Sequence, residues 1–480
     1  MIHFGTDGWR AVIADTFTFE NVRHVTQALA DTLLADAAGD TAPSVVIGYD
    51  TRFLSDRFAN EAACVLAANG LPVLLTRSDT PTPSVSYNVV AKGAAAGVVI
   101  TASHNPPRYN GYKVKSSYGG SATNDACKRI EARLQANLAA GVTPNTVDYD
   151  AAVESGAITR FDPNWTYFEH LGTLVDIDLI SGAELHIVSD AMWGAGRGAF
   201  SGFLRRSRCS ITDIRSDLNP GFGGIHPEPI LKNLTALVAA VKNRQADVGL
   251  ATDGDADRIG AVDALGNFID PHHIFALTLR HLVEKRGLRG DVVKTISTTT
   301  MIDRLCEQHG LTLHETPVGF NHIADLMTRN DVLIGGEESG GISVRGHIPE
   351  GDGVLMGLLL LEVMAAARAP LHEIVEDLQK KTGPALYGRI DTRLTHTLPK
   401  AEIRERLVQS APTALAGETV VKIDTLDGVK FKLADGGWLL LRPSGTEPVL
   451  RCYAEAPTTE AVKALLVAGI DLGTSIVLGE

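Results

Sequence analysis

Two short polar loops carry the residues of this chain that could do chemistry. Thr101-Ala102-Ser103-His104-Asn105-Pro106 follows the apolar run Gly97-Val98-Val99-Ile100, and Asp253-Gly254-Asp255-Ala256-Asp257-Arg258 follows Ala246-Asp247-Val248-Gly249-Leu250. A serine on a tight loop at the end of a buried strand is placed for catalysis, because ligands of open α/β sheets sit beyond the carboxyl ends of strands. Asp253, Asp255 and Asp257 alternate, so an extended loop can turn three carboxylates toward one point. Three such oxygens suit a hard divalent cation, and positions left open to water or phosphate suit Mg²⁺. An EF-hand loop also begins D-x-D-x-D, but its sixth position needs Gly and here holds Arg258, and its twelfth needs Glu and holds Ala264. A nucleophile on one loop and a cation site on the other point to metal-assisted phosphoryl transfer through a phosphoserine.

Neighbouring residues extend this chemistry. No G-x-S-x-G elbow surrounds Ser103, which argues against the usual hydrolase serine. Lys113, on the short run Tyr112-Lys113-Val114-Lys115, is a candidate general acid or base; His104 is a candidate orienting neighbour, and Arg258 adds positive charge for a phosphoryl group. Gly335-Gly336-Glu337-Glu338-Ser339-Gly340-Gly341 presents carboxylates and a hydroxyl on a close-approaching backbone, which fits recognition of vicinal sugar hydroxyls. Arg442-Pro443-Ser444-Gly445-Thr446-Glu447-Pro448 offers a guanidinium, hydroxyls and backbone N–H groups as a phosphate cradle, with Arg451 as a second fork.

The elements that must position these loops alternate β-branched runs with longer Ala/Leu-rich segments. Residues 44–48, 71–75, 185–188 and 291–296 read as strands and 57–69 as a helix, the rhythm of parallel or mixed sheets covered on both faces. Seams are expected at 141–150, 264–267 and 381–384, beyond which 437–441 and 449–453 read as neighbouring antiparallel strands. The resulting division is 1–145 with the serine loop, 146–264 with the aspartates, 265–380 with the glutamate loop and 381–480 with the arginine loop. One such loop per unit suggests that four domains converge on a single cleft.

Bulk properties narrow the partners. A chain of 480 residues exceeds what one core supports, and its 44% hydrophobic and 21% charged content is that of a globular protein. A net charge of −13 argues against nucleic acid as the partner. The five cysteines are scattered with no CxxC pair, which favours a reducing compartment. Residues 1–7 lack the layout of a signal peptide, and the apolar run 354–361 is too short to span a bilayer, so a cytoplasmic protein without membrane association is expected, as monomer or homodimer.

In order along the chain, residues 101–106, 253–258, 335–340 and 442–448 resemble the signature loops of the α-D-phosphohexomutases, the phosphoglucomutase/phosphomannomutase superfamily. Phe4-Gly5-Thr6-Asp7-Gly8-Trp9-Arg10, Asn110-Gly111-Tyr112-Lys113, Phe222-Gly223-Gly224 and Pro227-Glu228-Pro229 match as well, so the resemblance covers essentially the whole chain. It implies three similar mixed-sheet α/β domains and a TATA-binding-protein-like α+β fourth around one cleft. It implies that Ser103 carries the phosphoryl group, that Asp253, Asp255, Asp257 and an oxygen of phospho-Ser103 hold Mg²⁺, and that Lys113 and Arg10 serve proton transfer and electrostatic stabilisation. Glu337 and Ser339 match the residues that grip sugar hydroxyls, His347 resembles a histidine found beyond this loop in phosphoglucomutases, and Arg442, Ser444, Gly445 and Thr446 match the clamp on the phosphate not being transferred. Gly319 joins the substrate-binding set in Thr316-Pro317-Val318-Gly319-Phe320-Asn321, where Asn321 stands at a position usually held by Lys in the family.

The activity so implied is exchange of phosphate between the 1- and 6-positions of a hexose through a 1,6-bisphosphate, with glucose 1,6-bisphosphate as activator. Gly336-Glu337-Glu338-Ser339 looks like the glucose form of the sugar loop. A phosphomannomutase or phosphoglucosamine mutase is the alternative within the same chemistry. A phosphatase and a sugar-phosphate-binding protein without turnover are the alternatives from other classes.

Overall fold

The computed structural model describes residues 2–5, 8–37, 42–393, 399–443 and 449–478. Buried β-branched runs form the strands, and four sheets follow one another along the chain. The first sheet has the order Trp9–Val12, Tyr109–Ser116, Ala96–Ile100, Val45–Tyr49, Val73–Thr76, Ile158–Phe161. Its strands Ala96–Ile100, Val45–Tyr49 and Val73–Thr76 run parallel, while Tyr109–Ser116 returns antiparallel to Ala96–Ile100. The second sheet is Phe268–Ile269, Ile259–Asp263, Val248–Thr252, His186–Asp190, Ser210–Ile214. The third is Leu313–Thr316, Asp291–Thr295, Val332–Gly336, Ile342–Val344, again parallel except for its last strand. The fourth is antiparallel, with Leu386–Arg393, Val449–Ala456 and Trp438–Pro443 at one end of a six-stranded order.

Two sequence-based boundaries shift. Residues 146–161, grouped above with the second unit, belong to the first, because Ile158–Phe161 pairs parallel with Val73–Thr76. Residues 265–269, grouped with the third, belong to the second, because Phe268–Ile269 pairs with Ile259–Asp263. In both cases a short strand is added to a sheet edge from beyond an apparent turn.

The second and third units share one core. Apart from Glu362, the helix Gly353–Ala367 is apolar all round, with every residue from Gly353 to Ala365 buried. A helix without a polar face must be enclosed. It packs against Val248–Thr252 and Ile259–Asp263 of the second sheet and against the helix Pro271–Glu284 of the third unit. Among the described residues, no single helix is long and apolar enough to cross a membrane.

A histidine pair reinforces this junction. His170 stacks on Tyr87 with ring centroids 4.2 Å apart, and its Nε2 lies 2.9 Å from His347 Nδ1. Burial, then the neighbouring His347, lowers His170 to about 4. The neutral ring is thus favoured in the fold, and its stabilising share is complete above the ordinary value near 6.5 and lost as pH falls toward 4. The expected result is that the Tm advantage of the wild type over His170→Gln shrinks as pH is lowered across that window. A difference independent of pH would refute the assignment.

Candidate active site

Each described loop with candidate chemistry leaves the carboxyl end of a parallel strand. The serine loop follows Ala96–Ile100, the aspartate loop follows Val248–Thr252, and the glutamate loop follows Val332–Gly336. Ser103 adopts a left-handed backbone with φ 51°, is 1% exposed, and donates a 2.8 Å hydrogen bond from Oγ to Asp253 Oδ2. Its Oγ is 3.3 Å from His104 Nδ1. Burial, and then the charges of Arg258, Arg10, Arg52 and Lys113, hold His104 well below the ordinary histidine value, so it stays a neutral neighbour of the serine. Arg10, opposite Gly111 in the antiparallel pairing, donates to Asn105 Oδ1 at 2.7 Å. The structure therefore brings Ser103, His104 and Arg10 to one loop.

The support for this loop was missed. Arg52, in Asp50-Thr51-Arg52 at the end of Val45–Tyr49, is 3% exposed. Its guanidinium donates to the carbonyls of Pro106, Tyr109 and Asn105 at 2.9, 3.1 and 2.7 Å and to that of Ser103. Its Nε reaches Asp50 Oδ2 at 3.0 Å, and Asp50 also accepts from the hydroxyls of Thr101 and Ser55. Burial pushes Asp50 up to about 6 against the pull of Arg52. An acid–base pair at the carboxyl end of a buried strand was the available signal. Arg52→Met should cost about 3–5 kcal/mol, because it strands a buried carboxylate and several carbonyls at once. Urea unfolding measures this, and an unchanged midpoint would show that the loop holds itself.

The aspartates meet the serine across the first two units. A Cβ on Gly254 would lie 2.4 Å from the Ser103 carbonyl oxygen, so only glycine permits this approach. The carboxylates of Asp253, Asp255 and Asp257 each offer an oxygen within 4.8 Å of the others. Lys113 Nζ lies 3.0 Å from Asp255 Oδ2 and 3.1 Å from Asp257 Oδ2, and Thr82, from the first unit, donates to Asp255 Oδ2 at 2.7 Å. Burial, then repulsion from Asp257 and Asp255, raises Asp253 well above the usual carboxylate range. Burial would raise Asp255 too, but Lys113 and the Thr82 hydroxyl hold it well below. Asp255 Oδ1 and Asp257 Oδ1 are buried without hydrogen-bond partners, which is the condition expected of oxygens built to bind a cation. The donor set thus fits Mg²⁺. Arg258 closes the loop, its backbone N–H on Asp253 Oδ1 at 3.2 Å and its Nη1 3.7 Å from Glu228 Oε1.

On the third unit, Glu337 Oε1 accepts the Gly319 N–H at 2.9 Å, which joins the two predicted sugar-binding segments. Burial, then the adjacent Glu338, pushes Glu337 up to about 8, so near neutral pH its carboxyl can both donate to and accept from a hydroxyl. Ser339 follows on the same partly exposed loop. Glu338 turns elsewhere: it accepts from the hydroxyls of Ser297 at 2.6 Å and Thr295 at 3.2 Å. Asn321 Oδ1 is buried without a partner beside Gly319.

One predicted substrate ligand does not reach the cleft. The His347 side chain is fully buried, its Nε2 2.9 Å from Asp352 Oδ2 and its Nδ1 against His170. Asp352 caps the helix Gly353–Ala367 and accepts from Tyr167, so His347 belongs to the junction of the second and third units. The reason is that the ring is packed inside this junction, with Nδ1 bonded to His170 and Nε2 lying against the Asp352 carboxylate.

On the fourth unit, Arg442 and Arg451 stand directly opposite each other on neighbouring strands. Arg442 Nε donates to Asp427 Oδ2 at 2.6 Å, and Asp427 also accepts the Val318 N–H of the third unit at 3.2 Å. Arg451 lies 3.8 Å from Asp391. Ser444, Gly445 and Thr446, the remainder of the proposed clamp, lie outside the described residues.

Comparison with known proteins agrees with this construction. Four families described as phosphoglucomutase/phosphomannomutase match in order: α/β/α domain I over 1–140, domain II over 166–266, domain III over 270–382 and the C-terminal domain over 400–471. A phosphoglucomutase/phosphomannomutase of Thermococcus kodakarensis is 30% identical, the match covering 98% of each chain. A phosphoglucosamine mutase of Frankia alni is 32% identical over 95% of this chain and 94% of its own. A crystal structure from Thermus thermophilus, described as that of a putative phosphomannomutase, superposes with a TM-score of 0.85 at 36% identity, covering 98% of both chains. With all four domains matched in sequence order and relatives alike over nearly their whole length, the chain belongs to the phosphoglucomutase/phosphomannomutase family of phosphohexomutases.

Proposed function

We propose that this protein interconverts the 1- and 6-phosphates of a hexose, with glucose phosphate preferred, through a phosphoserine at Ser103 and a 1,6-bisphosphate. The observation that carries this reading is the 2.8 Å contact of Ser103 Oγ with Asp253, inside a cluster that also holds Asp255, Asp257 and Lys113. Asp253, Asp255 and Asp257 would hold Mg²⁺, which when bound supplies positive charge to the phosphoryl group in transfer. The free hydroxyl of a sugar phosphate attacks the phosphorus of phospho-Ser103, and the bond to Oγ breaks. Lys113 hands a proton to the departing Oγ while an oxygen of the transferring phosphoryl group takes the proton of the attacking hydroxyl, and the two transfers run backward on the return. Arg10 and Arg258 face the group in transit with fixed positive charge. The burial of Ser103 keeps water from the phosphoserine ester between turnovers.

The bisphosphate must then turn end for end, so the cleft needs a second cationic wall for the phosphate at rest. Arg442 and Arg451, opposite each other on neighbouring strands, would form it, with Ser444, Gly445 and Thr446 assigned by resemblance. Glu337, Ser339 and the Gly319 segment face the sugar. Glucose preference rests on the Glu337-Glu338-Ser339 run, with Glu337 able to bond a hydroxyl in either direction.

The test is conversion of glucose 1-phosphate to glucose 6-phosphate with Mg²⁺ and catalytic glucose 1,6-bisphosphate, with mannose and glucosamine 1-phosphates in parallel. Fast turnover of glucose alone supports the full reading. Preference for another sugar keeps the mutase and reassigns the substrate, and release of phosphate without isomerisation replaces the mutase with a phosphatase.

A further inference from the structure

Two residues beyond Lys113, the same strand buries a second lysine. The period of two along Tyr109–Ser116 puts Lys113 and Lys115 on one face. Lys113 turns to the aspartates. The Lys115 ammonium sits 2.6 Å from Glu350 Oε2 and 3.1 Å from the Ser121 hydroxyl, and the two charged side chains are 0% and 5% exposed. Glu350 comes from the third unit, on Pro349-Glu350-Gly351-Asp352-Gly353, the segment that leads into the helix Gly353–Ala367.

That segment touches the other loops of the site. A Cβ on Gly351 would lie 2.8 Å from the Asp257 carbonyl oxygen and 2.8 Å from Gly341 Cα, and one on Gly353 would lie 2.2 Å from the Arg258 carbonyl oxygen. The Gly353 N–H donates to the Ala256 carbonyl at 3.0 Å, and the Asp352 N–H to that of Ile342 at 3.1 Å. On the strand side, Gly97 opposite Lys115 leaves space for the lysine stem, since a Cβ there would be 3.1 Å from Lys115 Cβ. One turn therefore meets the strand bearing Lys113, the loop bearing Asp257 and the end of the glutamate loop.

A buried ion pair is weak evidence for stability, because desolvation offsets the attraction; fixing one arrangement among close alternatives is its better-attested use. Here the arrangement at stake is the aim of Lys113 at Asp255 and Asp257. We infer that Glu350 is a positioning residue for phosphoryl transfer: through Lys115 it fixes the strand that presents Lys113, and through Gly351 and Gly353 it ties that strand to the metal and sugar loops. This inference rests on the mutase reading above.

The experiment compares wild type, Glu350→Gln and the double variant Lys115→Met/Glu350→Met for kcat, sugar-phosphate KM and Tm. Glu350→Gln should lose about tenfold or more in kcat, the scale expected when a catalytic group is slightly misaimed, with KM little changed. The double variant removes both charges of this pair and should regain Tm relative to Glu350→Gln while its kcat stays low. Wild-type kcat in Glu350→Gln overturns the inference. Recovery of kcat together with Tm in the double variant overturns it as well, and so does loss of both there, because the pair then acts only through stability. If Glu350→Gln does not fold, the double variant decides alone. A wild type without mutase turnover strikes the proposed function instead, and that result precedes any variant.

Discussion

Ser103→Ala should fold normally, incorporate no phosphate from a labelled hexose bisphosphate, and lose roughly 10⁴-fold or more in kcat, the scale seen when a covalent nucleophile is removed. The size of the effect follows from the absence of a second route: each turnover starts with a phosphoryl group given up by Ser103 and ends with one restored to it. The structural effect should be small by comparison. The hydroxyl makes one short hydrogen bond, to Asp253, and a contact with His104. Its loss costs about 1 kcal/mol by the usual net value of a hydrogen bond. The loop itself is held by backbone contacts that alanine keeps, with the Ser103 N–H on Thr101 Oγ1 at 2.8 Å and the carbonyls gripped by Arg52. Mutase activity within tenfold of wild type would remove Ser103 from the mechanism and the phosphoserine with it.

Lys113→Met should lower kcat by roughly 10²–10⁴-fold, the usual contribution of a positioned general acid or base, with little change in sugar-phosphate KM. The amine is 1% exposed and contacts both Asp255 and Asp257, so no water or neighbouring side chain can take its place without rearrangement. Two further observables separate proton transfer from simple charge balance. Lys113→Arg keeps the positive charge but cannot readily give up its proton, so it should remain nearly as slow as the methionine variant. The Met variant should also gain more Tm from added Mg²⁺ than the wild type, because its carboxylates have lost their resident cation. Full activity in Lys113→Arg would leave the lysine as a charge alone and require another proton carrier.

What the chain alone determined was local. Residue type and spacing sufficed for Ser103 on its tight loop, for the alternating aspartates and for Arg442 beside Arg451, because each depends on a strand followed by a turn within a few residues. The strand-to-loop rhythm likewise specified α/β units ending in an antiparallel one, since backbone periodicity is written along the chain. Tertiary structure decided the rest, through contacts between residues remote in sequence. It paired Ile158–Phe161 with Val73–Thr76, and so moved a domain boundary that a polar stretch had suggested. It drew Arg52 and Thr82 under the serine and aspartate loops, although neither sits in a recognisable motif. It turned Glu338 toward Ser297 and withdrew His347 from the substrate by packing its ring between His170 and Asp352. A side chain's role in a buried site depends on which distant polar group satisfies it, and that pairing is settled only when the sheets and the enclosed helix Gly353–Ala367 pack together.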